Sequence, residues 1–158
     1  MDEGDVRRPD RARGGVRSPP EGVQELEHTA DVGIEVRAPD LAALFHRAAL
    51  GLLHVLGGEA EPEGPQDLER PIEISLDAAG TDLLLSRWLR EILFLRETEA
   101  LAYRRAEFSR LTPDGLDARV LVRPSRGNPE REITGVTYHG LAVEDEQGAW
   151  RARIIFDL

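Results

Sequence analysis

Three acidic groups in this chain stand where folding could bring them together: Asp31, Asp157 and the terminal carboxylate of Leu158. Asp31 belongs to His28-Thr29-Ala30-Asp31-Val32-Gly33, a hexapeptide between two short extended runs that reads as a strand connection. His28, Thr29 and Asp31 crowd polar groups into an apolar neighbourhood, and Gly33 permits backbone conformations that a side chain forbids. A turn built for geometry alone more often uses Asn-Gly or Pro-Asp. If the last strand lies beside the first two, the carboxylates converge, and their repulsion raises a pKa or recruits a cation. Donors that are all oxygen favour Ca2+, Mg2+ or Mn2+ over zinc. The plainer reading has Asp31 capping a turn and Asp157 solvated, and spacing alone favours it.

His28 and His139 are the other residues able to do chemistry. Each follows an extended run and could line a pocket as ligand, acid or base. A histidine so placed more often has a structural role, its ring N–H bonded to a carbonyl. No nucleophile stands beside either, and the chain has no G-x-S-x-G elbow, H-E-x-x-H helix, glycine-rich phosphate loop or zinc-type Cys/His set. No catalytic residue is assigned.

The 158 residues suit one domain, and a hydrophobic content of 41 % is enough for a core. A formal charge of −10 argues against gripping a nucleic-acid backbone over a wide face, since each phosphate contact needs a cation. An acidic body still docks readily onto a basic partner. The absence of cysteine removes disulfides and thiolate metal sites. The absence of lysine removes Walker, Schiff-base and nucleotidyl-lysine chemistry. With no signal segment and no membrane-length apolar run, a cytoplasmic protein is expected.

The elements that must position these residues are legible from periodicity. Residues 1–22, rich in Arg, Asp, Gly and Pro, are expected to form a disordered tail, and 23–158 a single domain. The tail's Arg7, Arg8, Arg11, Arg13 and Arg17 could touch RNA or an acidic surface, against the plainer reading of a solvated tail. Val23–His28 and Val32–Ala38 read as strands, the second alternating Val32, Ile34 and Val36 with polar or small residues. Asp40 has the position of an N-cap, and Gly57-Gly58 ends the helix that follows. His46 and His54 ride on that helix, two turns apart and too distant to share a metal, at its flank or exposed side. Residues 59–66 read as a loop and Ile72–Leu76 as a strand. A long helix is predicted from Thr81 or Asp82 to about Tyr103, apolar on more than one side. A hairpin over Ala106–Val122 turns at Pro113-Asp114-Gly115, and a second spans Ile133–Leu158. Strands interleaved with two helices indicate an α+β domain, with an antiparallel or mixed β-sheet and both helices on one face.

Three segments carry a resemblance: Leu26–Gly33, Val136-Thr137-Tyr138-His139-Gly140-Leu141 and the closing Trp150–Leu158. In that order, over about Val23–Leu158, they resemble the archease family, protein cofactors of the RtcB-type, GTP-dependent tRNA-splicing RNA ligase. The resemblance implies an α+β fold and a divalent cation, Ca2+ first and Mg2+ or Mn2+ as alternatives, held by Asp31, Asp157 and the Leu158 carboxylate. It implies an activator rather than an enzyme with its own substrate. Such a protein helps the ligase take up guanylate on its active-site histidine, allows many turnovers and broadens nucleotide use. The ligase joins RNA 2′,3′-cyclic phosphate or 3′-phosphate ends to 5′-hydroxyl ends, so contact with GTP or RNA is indirect.

One position departs from the family pattern. Many relatives have a functional lysine where this chain has Thr134, and neither Arg131 nor Arg126 is a simple substitute for it. Two rival functions remain at this stage. One is a chaperone-like modulator of RNA-processing proteins acting through an apolar helix face; the other is an autonomous metal-dependent hydrolase using His28 or His139.

Overall fold

The computed structural model describes residues 18–27, 31–57, 68–125 and 128–158. The expectations placed on the tail up to Arg17, on His28 and Thr29, and on the loop over 59–66 lie outside these residues. So do the side chains of Tyr138 and His139.

In chain order the elements are β1 (Val23–Glu27), β2 (Asp31–Ala38), α1 (Leu41–Leu56), β3 (Arg70–Asp77), α2 (Thr81–Thr98), β4 (Leu101–Thr112), β5 (Gly115–Pro124), β6 (Gly135–Glu146) and β7 (Ala149–Asp157). The α+β class and the two helices are as the sequence indicates. The strands divide into two sheets, ordered β1-β2-β7-β6 and β3-β5-β4, and every pairing is antiparallel. Each helix touches strands of both sheets, α1 on β2 and β4, α2 on β6 and β4, so one core serves the whole unit.

Local chemistry sets the helix ends. Asp40 Oδ1 accepts from Ala43 N at 2.8 Å, closing the first turn of α1. Gly57 ends it at φ 95°, a left-handed conformation costly for any residue with a Cβ. Helix α2 stops at Thr98, short of the predicted Tyr103. Ala100 takes φ 57°, and Leu101, Ala102 and Tyr103 then pair with Pro124, Arg123 and Val122 of β5. The apolar pattern runs on across this break because Tyr103, read as the end of the helix, is a buried core residue of β4.

The core is centred on Trp88. Its indole N–H donates to the Phe45 carbonyl at 2.9 Å, and its ring lies 5.4 Å from Phe108 and 6.0 Å from Tyr103. Burying each such side chain stabilises the fold by roughly 1.5–3 kcal/mol. The Tyr103 hydroxyl is hydrogen-bonded to His46 Nδ1 at 2.8 Å. Burial pushes the tyrosine pKa up; burial, then the neighbouring Arg47, pushes the histidine's down. His54 sits at the helix flank, 3.7 Å from Glu25.

Candidate metal centre at the β2–β7 end

Strand β7 enters between β2 and β6, so the last strand of the chain lies beside the first hairpin. The register places Asp31 directly opposite Asp157 on one side, and Gly135 opposite Asp157 on the other. Alternation explains the orientation. Val32, Ile34, Ala152, Ile154 and Phe156 are buried against the helices, which leaves Asp31 and Asp157 together on the outer face. Directly opposed side chains in an antiparallel pair have Cβ atoms about 4.5–5.5 Å apart. Asp31 is half-buried and Asp157 exposed, and neither carboxylate has a basic partner among the described residues. Leu158 follows at once and is 52 % exposed.

Thr134 stands at the same place. Its backbone N–H donates to the Asp157 carbonyl at 2.8 Å, and its hydroxyl reaches the same oxygen at 3.3 Å. The position that departs from the family pattern is therefore in contact with the backbone of the predicted ligand. Arg131, weighed as a replacement for the missing lysine, is engaged elsewhere by Glu25 at 3.2 Å. Arg126 and His28 lie outside the described residues. His139 falls in β6 where pairing with β7 is interrupted between Thr137 and Ala142.

Two residues matter here for reasons the sequence did not announce. Gly33 was expected for its backbone freedom, yet it is absent from the positive-φ glycines and sits in the regular ladder of β2. Its role is space: a Cβ would come within 2.9 Å of Ile155 Cδ1 and 3.0 Å of the Ile154 carbonyl. Gly135 was not singled out at all. A Cβ there would approach Asp157 Oδ2 at 3.8 Å, so glycine keeps the β6 side of that carboxylate free of any side chain. Only the β6–β7 register could have revealed it.

In kind, this donor set suits a hard divalent cation: opposed carboxylates with no internal counter-charge, beside a side left clear by glycine. In number it is partial. No group of three or more His, Cys, Asp or Glu residues able to hold a metal exists among the described residues. Further oxygens would have to come from the terminus, carbonyls or water. Elsewhere on the same face a shallow cavity of about 120 Å³ is lined by Glu35, Ala142, Glu144, Arg151 and Arg153. Its charge is largely satisfied internally, because Arg151 reaches Glu144 at 2.9 Å and Glu35 and Glu146 at 3.5 Å each.

The sequence pattern of the archease protein family (MTH1598/TM1083) matches residues 24–158. The chain belongs to that family. It is 32 % identical over 143 residues to protein archease of Methanopyrus kandleri, covering 85 % of this chain and 98 % of the relative. Protein archease of Pyrococcus furiosus is 28 % identical over 147 residues, covering 85 % and 97 %. Among solved structures, Methanobacterium thermoautotrophicum protein 1598 superposes with a TM-score of 0.68 at 30 % identity, over 87 % of this chain and 99 % of that one. An archease of Thermotoga maritima, described as a possible chaperone, shares the fold with a TM-score of 0.57 at 20 % identity, covering 90 % and 98 %. None of these names is that of an enzyme. No helix among the described residues is long and apolar enough to cross a membrane.

Proposed function

We propose that this chain activates a GTP-dependent RNA ligase of the RtcB type, promoting guanylylation of the ligase histidine and repeated turnover in tRNA splicing or RNA repair. The observation that carries the reading is the Asp31–Asp157 register, which sets two carboxylates side by side with no basic partner among the described residues. Asp31, Asp157 and the Leu158 carboxylate would hold a divalent cation, Ca2+ first and Mg2+ or Mn2+ as alternatives. That ion supplies electrostatic bridging between protein oxygens and a triphosphate. Thr134 fixes the Asp157 backbone, and Gly135 leaves the approach to its carboxylate open. The chain acts as a protein cofactor in the cytoplasm and touches GTP or RNA only through its partner. His28 and His139 are further candidate functional residues.

The deciding experiment is multiple-turnover ligation with purified ligase. Asp31→Ala abolishes stimulation and leaves the circular dichroism spectrum unchanged; stimulation that survives intact in this variant removes the proposal. A second reading, a chaperone-like modulator of RNA-processing proteins, draws on the Thermotoga maritima description and on Phe94, which is 51 % exposed on α2. It requires holdase activity that ignores both chelator and Asp31→Ala.

A further inference from the structure

Where β3 begins and β5 ends, arginines collect without enough acceptors. Glu69, the residue before β3, has a side chain 6 % exposed and lies 3.1 Å from Arg104 Nη2, whose side chain is 13 % exposed. Arg104 is the unpaired residue at a register shift in β4, between Tyr103 and Arg105. Arg123, 7 % exposed, lies on the central strand of this sheet opposite Ala102, next to Val122, which faces Arg70 of β3 on one side and Tyr103 of β4 on the other. Arg105 completes the group, 3.7 Å from Glu69 and 3.2 Å from Glu107.

The pairing is incomplete on both sides. Among the described residues Arg104 Nε and Nη1 and Arg123 Nη1 are buried without an acceptor, and Glu69 Oε2 lies near Arg104 without the alignment of a hydrogen bond. Arginine cannot escape burial by losing its proton. Buried donors are almost always satisfied, so orphans on two arginines at adjacent strand positions call for an acceptor. Water supplies lone pairs but no charge, and among the described residues the carboxylates paired with these arginines are Glu69 and the exposed Glu107. A tetrahedral oxyanion supplies both, in the geometry that guanidinium forks match.

We propose that Arg104 and Arg123, flanked by Arg105, form a binding site for a phosphate-class oxyanion, with Glu69 as the internal counter-ion in its absence. The site lies on the three-stranded sheet and is independent of the carboxylate pair on the other sheet. The phosphate group is shared by free phosphate and by a phosphorylated RNA end, and the test separates the two.

The full chain, kept metal-free with EDTA, is titrated calorimetrically with inorganic phosphate, with a 3′-phosphorylated RNA dinucleotide and with the same dinucleotide unphosphorylated. Phosphate binds in the millimolar range. Arg104→Gln and Arg123→Gln each weaken it by at least about tenfold, the scale of a lost charge-assisted hydrogen bond. Glu69→Gln tightens it, because the competing carboxylate charge is gone. A phosphorylated dinucleotide that outcompetes inorganic phosphate assigns the site to RNA ends; equal affinity assigns it to the free anion. No heat from the unaltered protein with either phosphorylated probe, or binding that both arginine variants retain, overturns the site and leaves water as the acceptor. The unaltered protein decides the question even if a variant fails to fold.

Discussion

The two sheets of this domain each gather like charges at one end, and they do so under opposite conditions. At the end of β2 and β7, Asp31 and Asp157 face each other on an outer surface open to water. In the other sheet Arg104 and Arg123 are largely buried, and Arg104 has one buried carboxylate beside it, that of Glu69. Water and salt screen the first arrangement, so its repulsion costs little and it can wait for a cation. The second lacks that screening, so its stability depends on Glu69 or on another anion. Exposure, more than the count of charges, decides which cluster the fold tolerates empty.

Three measurements sharpen or break that contrast. The largest effect belongs to Glu69→Ala, which leaves buried guanidinium charge uncompensated and lowers unfolding free energy by about 3 kcal/mol in urea titration. A loss close to zero would mean that the arginine end is solvated like the carboxylate end. Next comes His46 of α1, whose ring is hydrogen-bonded to Tyr103 of β4. Its folded pKa is depressed, so the unfolded chain takes up the proton first as pH falls. The associated stability is full above the ordinary histidine value near 6.5 and is lost as pH drops through the folded value. At pH 5.5, one unit below that ordinary value, the loss is at most on the order of 1 kcal/mol. His46→Gln flattens the decline between pH 7.5 and 5.5, and an unchanged slope would assign it to other groups. The smallest effect is Asp31→Asn, which relieves a like-charge pair and raises stability by roughly 0.2–1 kcal/mol in EDTA. Added Ca2+ reverses the order of the two proteins; if it does not, the carboxylate pair holds no cation.

Much of the fold was legible because it depends on local patterns. Alternation of Val32, Ile34 and Val36 marks β2, Asp40 marks the start of α1, and Pro113-Asp114-Gly115 marks a hairpin. The end of α2 was not legible, because burial of Tyr103 satisfies the hydrophobic pattern of helix and strand alike. The division into two sheets was hidden as well: each strand records which of its faces is apolar but not which strand lies beside it.

The sequence alone determined that Asp31 and Asp157 each lie at a strand end, and that lysine and cysteine chemistry is excluded. It also carried the family motifs in order. Only the tertiary structure decided that β7 inserts between β2 and β6, which turns Asp31 and Asp157, far apart in the chain, into direct neighbours. The same step gave Gly135 and Thr134 their places beside Asp157, while pairing within the other sheet brought Glu69 to Arg104. The physical reason is that backbone hydrogen bonding makes strands pair without naming the partner. The partner is chosen by how all the apolar faces together cover the two helices, a property no single stretch contains.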